Sequence, residues 1–216
     1  MRYKAVLFDM DGTILDTLED LHQAVNASLR HFSLPEISRE ATRQYVGNGA
    51  RRLIEQAVPT GTAAELTEEL LSYYILWYDR HSEEKTAPYA GVPEMLNALR
   101  KNGLRLAVIS NKPDQTVRSL AARYFGDFFE SCAGEKAGIR RKPAPDTVFL
   151  AMREMGLRAE ECVYVGDSEV DVATARNAGV DCISVAWGFR SLQQLREAGA
   201  AVFAETPENL TELLLK

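Results

Sequence analysis

Cysteine is scarce in this 216-residue sequence: Cys132, Cys162 and Cys182 are odd in number, far apart, and form no Cys-x-x-Cys pair. Neither a disulfide framework nor a thiolate metal site has support, and buried reduced thiols are the expectation. Histidine is equally rare. His22, His31 and His81 all fall in one helical stretch, where solvated or packed positions explain them best. Positive charge is in deficit, with 25 Lys and Arg against 31 Asp and Glu and a net charge of −6. The largest basic block is Arg140-Arg141-Lys142, so nucleic acid is not an expected partner. No apolar run reaches membrane-spanning length, and the amino terminus has no segment of signal-peptide length. A soluble, cytoplasmic protein with no membrane partner is therefore expected. Repeats and low-complexity segments are also missing, and no pattern distinguishes a monomer from a homodimer.

What is present is ordinary globular composition, 46% apolar, in a chain long enough for one large domain or a core with an insertion. Lys4 to Phe8 reads as a short buried strand. From Asp16 the pattern turns helical for about seventy residues. Asp16 or Thr17 caps a helix bearing Leu18, Leu21, Val25 and Leu29, and Pro35 ends it. Ser38 starts a second helix, and Gly47-Asn48-Gly49 interrupts before a third over 50–58. A long helix covers about 63–79, with Tyr73, Tyr74, Trp77 and Tyr78 as its aromatic core. From Pro88 strands and helices alternate. Strands are expected at 104–109, 128–133, 162–165, 180–185 and, at the edge, 201–204. Amphipathic helices intervene, such as the one with Val92, Met95, Leu96 and Leu99 on one face. Continuous apolar strands alternating with such helices predict an α/β fold: a Rossmann-like parallel sheet with helices on both faces. The boundaries expected are 1–15 with 88–216 for this α/β domain, and 16–87 for an inserted all-helical domain.

Three of these strands end in polar chemistry: Asp9-x-Asp11-Gly12-Thr13, Ser110-Asn111, and Gly166-Asp167-x-x-x-Asp171. Lys142 precedes Pro143 just before another helix. Strand ends of a parallel sheet share one edge, where open α/β sheets bind ligands. Carboxylates clustered without His or Cys suit a hard cation such as Mg²⁺, and a hydroxyl, an amide and an ammonium beside them suit phosphate oxygens. Each residue also has a plainer reading: a tight turn at Asp9–Gly12, a solvated Lys142, a capping Ser110, or Asp171 as a first-turn helix acid.

In their order and placement these residues resemble the four motifs of the haloacid dehalogenase superfamily, carried by Asp9-Met10-Asp11-Gly12-Thr13, Ser110, Lys142 and Gly166–Asp171. The resemblance covers nearly the whole chain, and the helical insertion resembles that superfamily's C1 cap. It implies a Mg²⁺-dependent phosphatase acting through an aspartyl phosphate on a small phosphorylated metabolite. Asp9 would be the nucleophile and Asp11 the general acid and base. Ser110 would bind a phosphoryl oxygen with Asn111 supporting it, and Thr13 would belong to the same substrate-binding group. Lys142 would neutralise charge. Asp9, Asp11 (through its backbone carbonyl), Asp167 and Asp171 would form the metal site, with Asp171 acting through water or by orienting the others. Asp11 argues against dehalogenation, and Lys85, the only lysine between residues 15 and 87, makes Schiff-base phosphonatase chemistry a poor fit. Gly47 to Leu53 and Trp187-Gly188-Phe189-Arg190 are similar to segments of phosphoglycolate phosphatases. In that resemblance Gly49 offers backbone N–H groups at a helix start, and Arg51 or Arg52 pairs with a substrate carboxylate. A pyrophosphatase, a broad small-ester phosphatase, a β-phosphoglucomutase-type isomerase and a silent binding protein of the same fold remain as alternatives.

Overall fold

The structure is a computed structural model and describes residues 2–216. In chain order the elements are β1 (Ala5–Phe8), β2 (Leu15–Asp16), α1 (Leu18–His31), α2 (Arg39–Tyr45), α3 (Gly49–Ala57), α4 (Ala64–His81) and β3 (Ala87–Pro88). They continue as α5 (Val92–Lys101), β4 (Arg105–Pro113), α6 (Asp114–Phe125), β5 (Ser131–Glu135), α7 (Asp146–Met155), β6 (Cys162–Gly166), α8 (Glu169–Ala178), β7 (Asp181–Val185), α9 (Leu192–Glu197), β8 (Phe203–Ala204) and α10 (Pro207–Leu215). The chain divides into two compact units, Met1–Leu15 with Pro88–Lys216, and Asp16–Ala87.

The first unit holds a six-stranded sheet in the order β5-β4-β1-β6-β7-β8, with the pairs around β1, β4, β6 and β7 parallel. β1 lies in the middle because all four of its residues are apolar and fully buried, as a strand covered on both faces requires. Its side chains alternate between two cores. Val6 and Phe8 pack with Leu96, Leu99, Val117, Leu120 and Leu210 from α5, α6 and α10. Ala5 and Leu7 pack with Val148, Met152, Ala175 and Ala178 from α7 and α8. The expected α/β sheet with helices on both faces is therefore what forms. From β1 the chain builds outward to β4 and β5 on one side, then crosses to β6 on the other. The carboxyl end of β1 is thus a topological switch point, where such sheets leave a crevice.

Several boundaries differ from the sequence expectation. β4 runs on through Ser110 to Pro113, and its register with β5 shifts between Ile109 and Pro113. β5 begins at Ser131 rather than Phe128, since Phe128 and Phe129 pack against the core without joining the ladder. α6 starts at Asp114, ahead of the expected Val117, because Pro113 supplies a fixed φ at its start. Two-residue strands β2 and β3 pair with each other, too short to leave a pattern in the sequence.

The second unit is helical. α1 and α4 bury Leu21, Val25 and Leu29 with Leu70, Leu71, Tyr74 and Tyr78. Asp20, fully buried, accepts the backbone N–H groups of Lys85 and Thr86 at 2.8–3.0 Å, which compensates its charge. The histidines are packed and bonded: His22 to Thr42, His31 stacked on Tyr73, and His81 bonded to Glu84 and stacked on Trp77. Tyr74 and Tyr78 are core, whereas Tyr73 and Trp77 are only half-buried. Among the described residues no helix is long and apolar enough to cross a membrane.

Candidate active site

β1 delivers Asp9 directly beyond its last residue, with the Asp9 N–H bonded to the Val165 carbonyl of β6. The chain then turns back at once: the N–H groups of Thr13, Ile14 and Leu15 all point to the Met10 carbonyl. Gly12 makes that turn at φ +83°, and a Cβ there would lie 2.4 Å from an oxygen of Asp167. Gly188 approaches Asp167 from the other side, where a Cβ would lie 2.2 Å from that of Asp167. The two glycines let backbone close around one carboxylate.

Asp9, Asp167 and Asp171 converge, with a carboxylate oxygen from each lying within 4.8 Å of the others, and all three are buried. Lys142 lies between two of them, its Nζ 2.8 Å from Asp9 Oδ1 and 2.8 Å from Asp171 Oδ1. The Lys142 Nζ also donates to the Ile109 carbonyl and the Tyr164 hydroxyl. Fully ionised, three carboxylates against one ammonium would leave two negative charges in a buried cluster. The ionisation equilibria register this excess. Burial pushes the Asp9 carboxyl well above the ordinary range, Asp171 adds to the rise, and Lys142 opposes it. Burial and then Asp171 push Asp167 up to about 7. For Lys142, burial opposes the charge, but Asp171 and Asp9 outweigh it and hold the ammonium well above an ordinary lysine. An all-oxygen cluster with two charges in excess fits a hard divalent cation.

The partners of each carboxylate divide their roles. Asp171 Oδ1 accepts from Lys142 and the Tyr164 hydroxyl, and Oδ2 accepts from the Ser168 N–H and O–H. Four donors fill the four lone-pair sites of a carboxylate, so Asp171 serves Lys142 and the start of α8, and reaches an ion through its charge. Asp167 Oδ1 accepts from the Thr13 hydroxyl and Oδ2 from the Phe189 N–H. Thr13, grouped from the sequence with substrate-binding residues, donates its hydroxyl proton to Asp167, and its carbonyl accepts from the Trp187 indole.

Asn111 is tied to the loop that carries Lys142. Its amide spans the Lys142 backbone, donating to the carbonyl at 3.0 Å and accepting from the N–H at 2.7 Å. The Lys142–Pro143 peptide held beside it is cis. Ser110 is buried, and its Oγ accepts from the Lys112 N–H, which leaves the hydroxyl proton for an outside acceptor. Asp11 forms an ion pair with Lys112 at 2.6 Å. Gly49, Arg51 and Arg52 lie in the helical unit, at the start of α3. There Arg51 forms a forked pair with Glu68 and Arg52 pairs with Glu55.

Sequence reasoning missed Lys112, Tyr164 and the Phe189 N–H. A phenol in an otherwise apolar buried strand requires a polar partner, which was a usable signal for Tyr164. Lys112 adjoins a strand end already singled out, but nothing local distinguishes it from a solvated lysine. The backbone N–H leaves no mark in the sequence.

The family model for haloacid dehalogenase-like hydrolases matches residues 6–185. A phosphoglycolate phosphatase of Pseudomonas savastanoi pv. phaseolicola is 35% identical over 205 residues, 92% of this chain and 75% of that protein. Phosphoglycolate phosphatase 1 of Pseudomonas aeruginosa is 34% identical over 98% of this chain and 78% of its own length. A crystal structure from Lactobacillus delbrueckii subsp. bulgaricus, provisionally named a phosphoglycolate phosphatase, superposes with a TM-score of 0.95 at 36% identity over 99% of both chains. With this match and these relatives, the chain belongs to the haloacid dehalogenase-like hydrolase family and sits among its phosphatases.

Proposed function

We propose that this protein is a Mg²⁺-dependent phosphomonoester hydrolase that works through an aspartyl phosphate on Asp9, with 2-phosphoglycolate as its preferred substrate. The observation that carries the reading is Asp9 Oδ1, held 2.8 Å from the Lys142 ammonium in a buried cluster with excess negative charge. Asp9 attacks phosphorus while Lys142 offsets the charge of two anions brought together. Asp11 gives its proton to the leaving oxygen and takes one from the water that later cleaves the aspartyl phosphate. The Ser110 hydroxyl donates to a phosphoryl oxygen. Asp9, Asp167 and the Asp11 backbone carbonyl would hold Mg²⁺, with Asp171 orienting the set, and the bound ion would supply charge neutralisation at the phosphoryl oxygens. Asn111 and Thr13 act by fixing Lys142 and Asp167.

The helical unit 16–87 is assigned as the cap that reads the group beyond the phosphate. The names of the curated relatives support 2-phosphoglycolate, whose carboxylate suits an arginine on α3. Arg51 would exchange Glu68 for that carboxylate, and because both side chains of the pair are exposed the exchange costs little. A phosphate-release screen over 2-phosphoglycolate, pyrophosphate, sugar phosphates and aryl phosphates tests the substrate. The expected preference for 2-phosphoglycolate is at least about tenfold in kcat/KM, or about 1.4 kcal/mol. Equal rates across the panel would make the enzyme a broad phosphatase, and interconversion of sugar phosphates without phosphate release would make it an isomerase.

Mg²⁺ alone is expected to stabilise the fold. At a hundred times its Kd the gain is about 2.7 kcal/mol, or a Tm rise of about 5–10 °C for a chain of this size. The pH dependence follows from Asp167, raised to about 7. The metal-free folded state keeps a proton that the unfolded chain releases, so its stability falls as pH rises from the ordinary carboxylate range through about 7. The Mg²⁺ increment should grow over that same window, because the ion displaces the proton. Thermal melts at pH 5 and pH 8, with and without Mg²⁺, measure both slopes, and an increment independent of pH would count against Asp167 as a ligand.

A further inference from the structure

Lys112 forms a buried ion pair with Asp11, and none of the assigned roles uses the lysine. Its Nζ lies 2.6 Å from Asp11 Oδ1, with side-chain exposures of 5% and 15%. A lysine at a strand end ordinarily extends its ammonium to water. This one is held inside, at a desolvation cost that only a well-placed partner offsets. The backbone explains how it gets there. β4 lies inside the sheet and is buried without a break from Leu106 to Lys112, so the Lys112 side chain leaves the strand within the covered edge. The same residue ties two roles together: the Lys112 N–H donates to Ser110 Oγ and its ammonium holds Asp11.

We propose that Lys112 is a positioning residue for Asp11, fixing the orientation from which the Asp11 carboxyl meets the leaving-group oxygen. The inference rests on the proposed reaction, in which Asp11 moves the proton. As the P–O bond breaks, the Asp11 proton goes to the leaving oxygen, and the water that opens the aspartyl phosphate returns one to Asp11. Lys112 keeps its own protons throughout.

The test uses leaving groups that differ in their need for a proton. Lys112→Met should lower kcat at least about tenfold more on an alkyl phosphate than on 2,4-dinitrophenyl phosphate, whose phenolate leaves unassisted; general acid catalysis contributes about 10²- to 10⁴-fold where it is needed. The KM values should change less than kcat, and Lys112→Arg should recover part of the difference. On the alkyl ester, Lys112→Met added to Asp11→Asn should cost no more than Asp11→Asn alone, as expected for residues acting through one another. Equal losses on both esters, a loss confined to KM, or additive losses in the double variant would overturn the inference. Should Lys112→Met not fold, the same comparisons are made with Lys112→Arg, whose excess loss on the alkyl ester is expected to be smaller but of the same kind. If the wild type cleaves neither ester, the phosphatase reading fails, and crystal structures decide the positioning role separately. An Asp11 carboxylate that moves in the variant supports it, and one that stays in place overturns it.

Discussion

Asp9→Asn is expected to abolish turnover while leaving the fold at least as stable as the parent. The amide is not a nucleophile at phosphorus, and removing the group that attacks costs on the order of 10⁴-fold or more in kcat. The stability half of the result comes from electrostatics. Asp9 is buried, and burial together with the negative charges of Asp171 and Asp167 disfavours its carboxylate. Asparagine keeps the shape and removes the charge, so the metal-free variant should melt at the parent's temperature or above it. A gain in stability at the cost of function is the usual mark of a strained active-site group. The Mg²⁺-induced rise in Tm should shrink, because one oxygen ligand has lost its charge. Turnover of p-nitrophenyl phosphate, measured beside thermal melts with and without Mg²⁺, checks all three. Activity within tenfold of the parent would end the covalent route through Asp9.

Lys142→Met should do the opposite to stability. The ammonium is the cation bridging Asp9 and Asp171, and methionine leaves both carboxylates buried against each other. Breaking a buried pair by removing one partner costs about 3–5 kcal/mol, which corresponds to a Tm lowered by about 6–20 °C in a chain of this size. Activity should fall by about 10²- to 10³-fold, the cost of losing one fixed charge stabiliser at the reacting centre. Adding Asp171→Asn removes one of the stranded charges and should return part of the stability but none of the activity. A single variant that melts like the parent would show that Lys142 does not balance the cluster.

The resemblance of the strand ends to known motifs made much of the site legible before any coordinates. Asp9, Asp11, Ser110 and Asp167 all lie where short apolar runs give way to polar residues, the strongest signal a parallel sheet leaves in sequence, whereas Lys142 stands in a loop just before a helix. The helical unit was legible from its 3.6-residue periodicity and its lack of alternating strands. Less legible were the supporting contacts. Asn111 and Thr13 read as substrate ligands because an amide and a hydroxyl beside a phosphate site commonly are. Only their distances show that they hold Lys142 and Asp167.

What the sequence by itself determined was local: which runs become strands, where each ends, and which functional groups stand at those ends. Backbone preference and side-chain periodicity act over a few residues, and that range suffices for those decisions. The pairings were decided by the tertiary structure. Lys112 meets Asp11 across 101 residues of chain, Thr13 meets Asp167 across 154, and Lys142 joins two carboxylates that no local pattern relates. Those pairings depend on the strand order around β1 and on the burial of β4 through Lys112. A buried charge must find its partner among the neighbours that packing brings within hydrogen-bond reach, and those neighbours exist only once the sheet has formed.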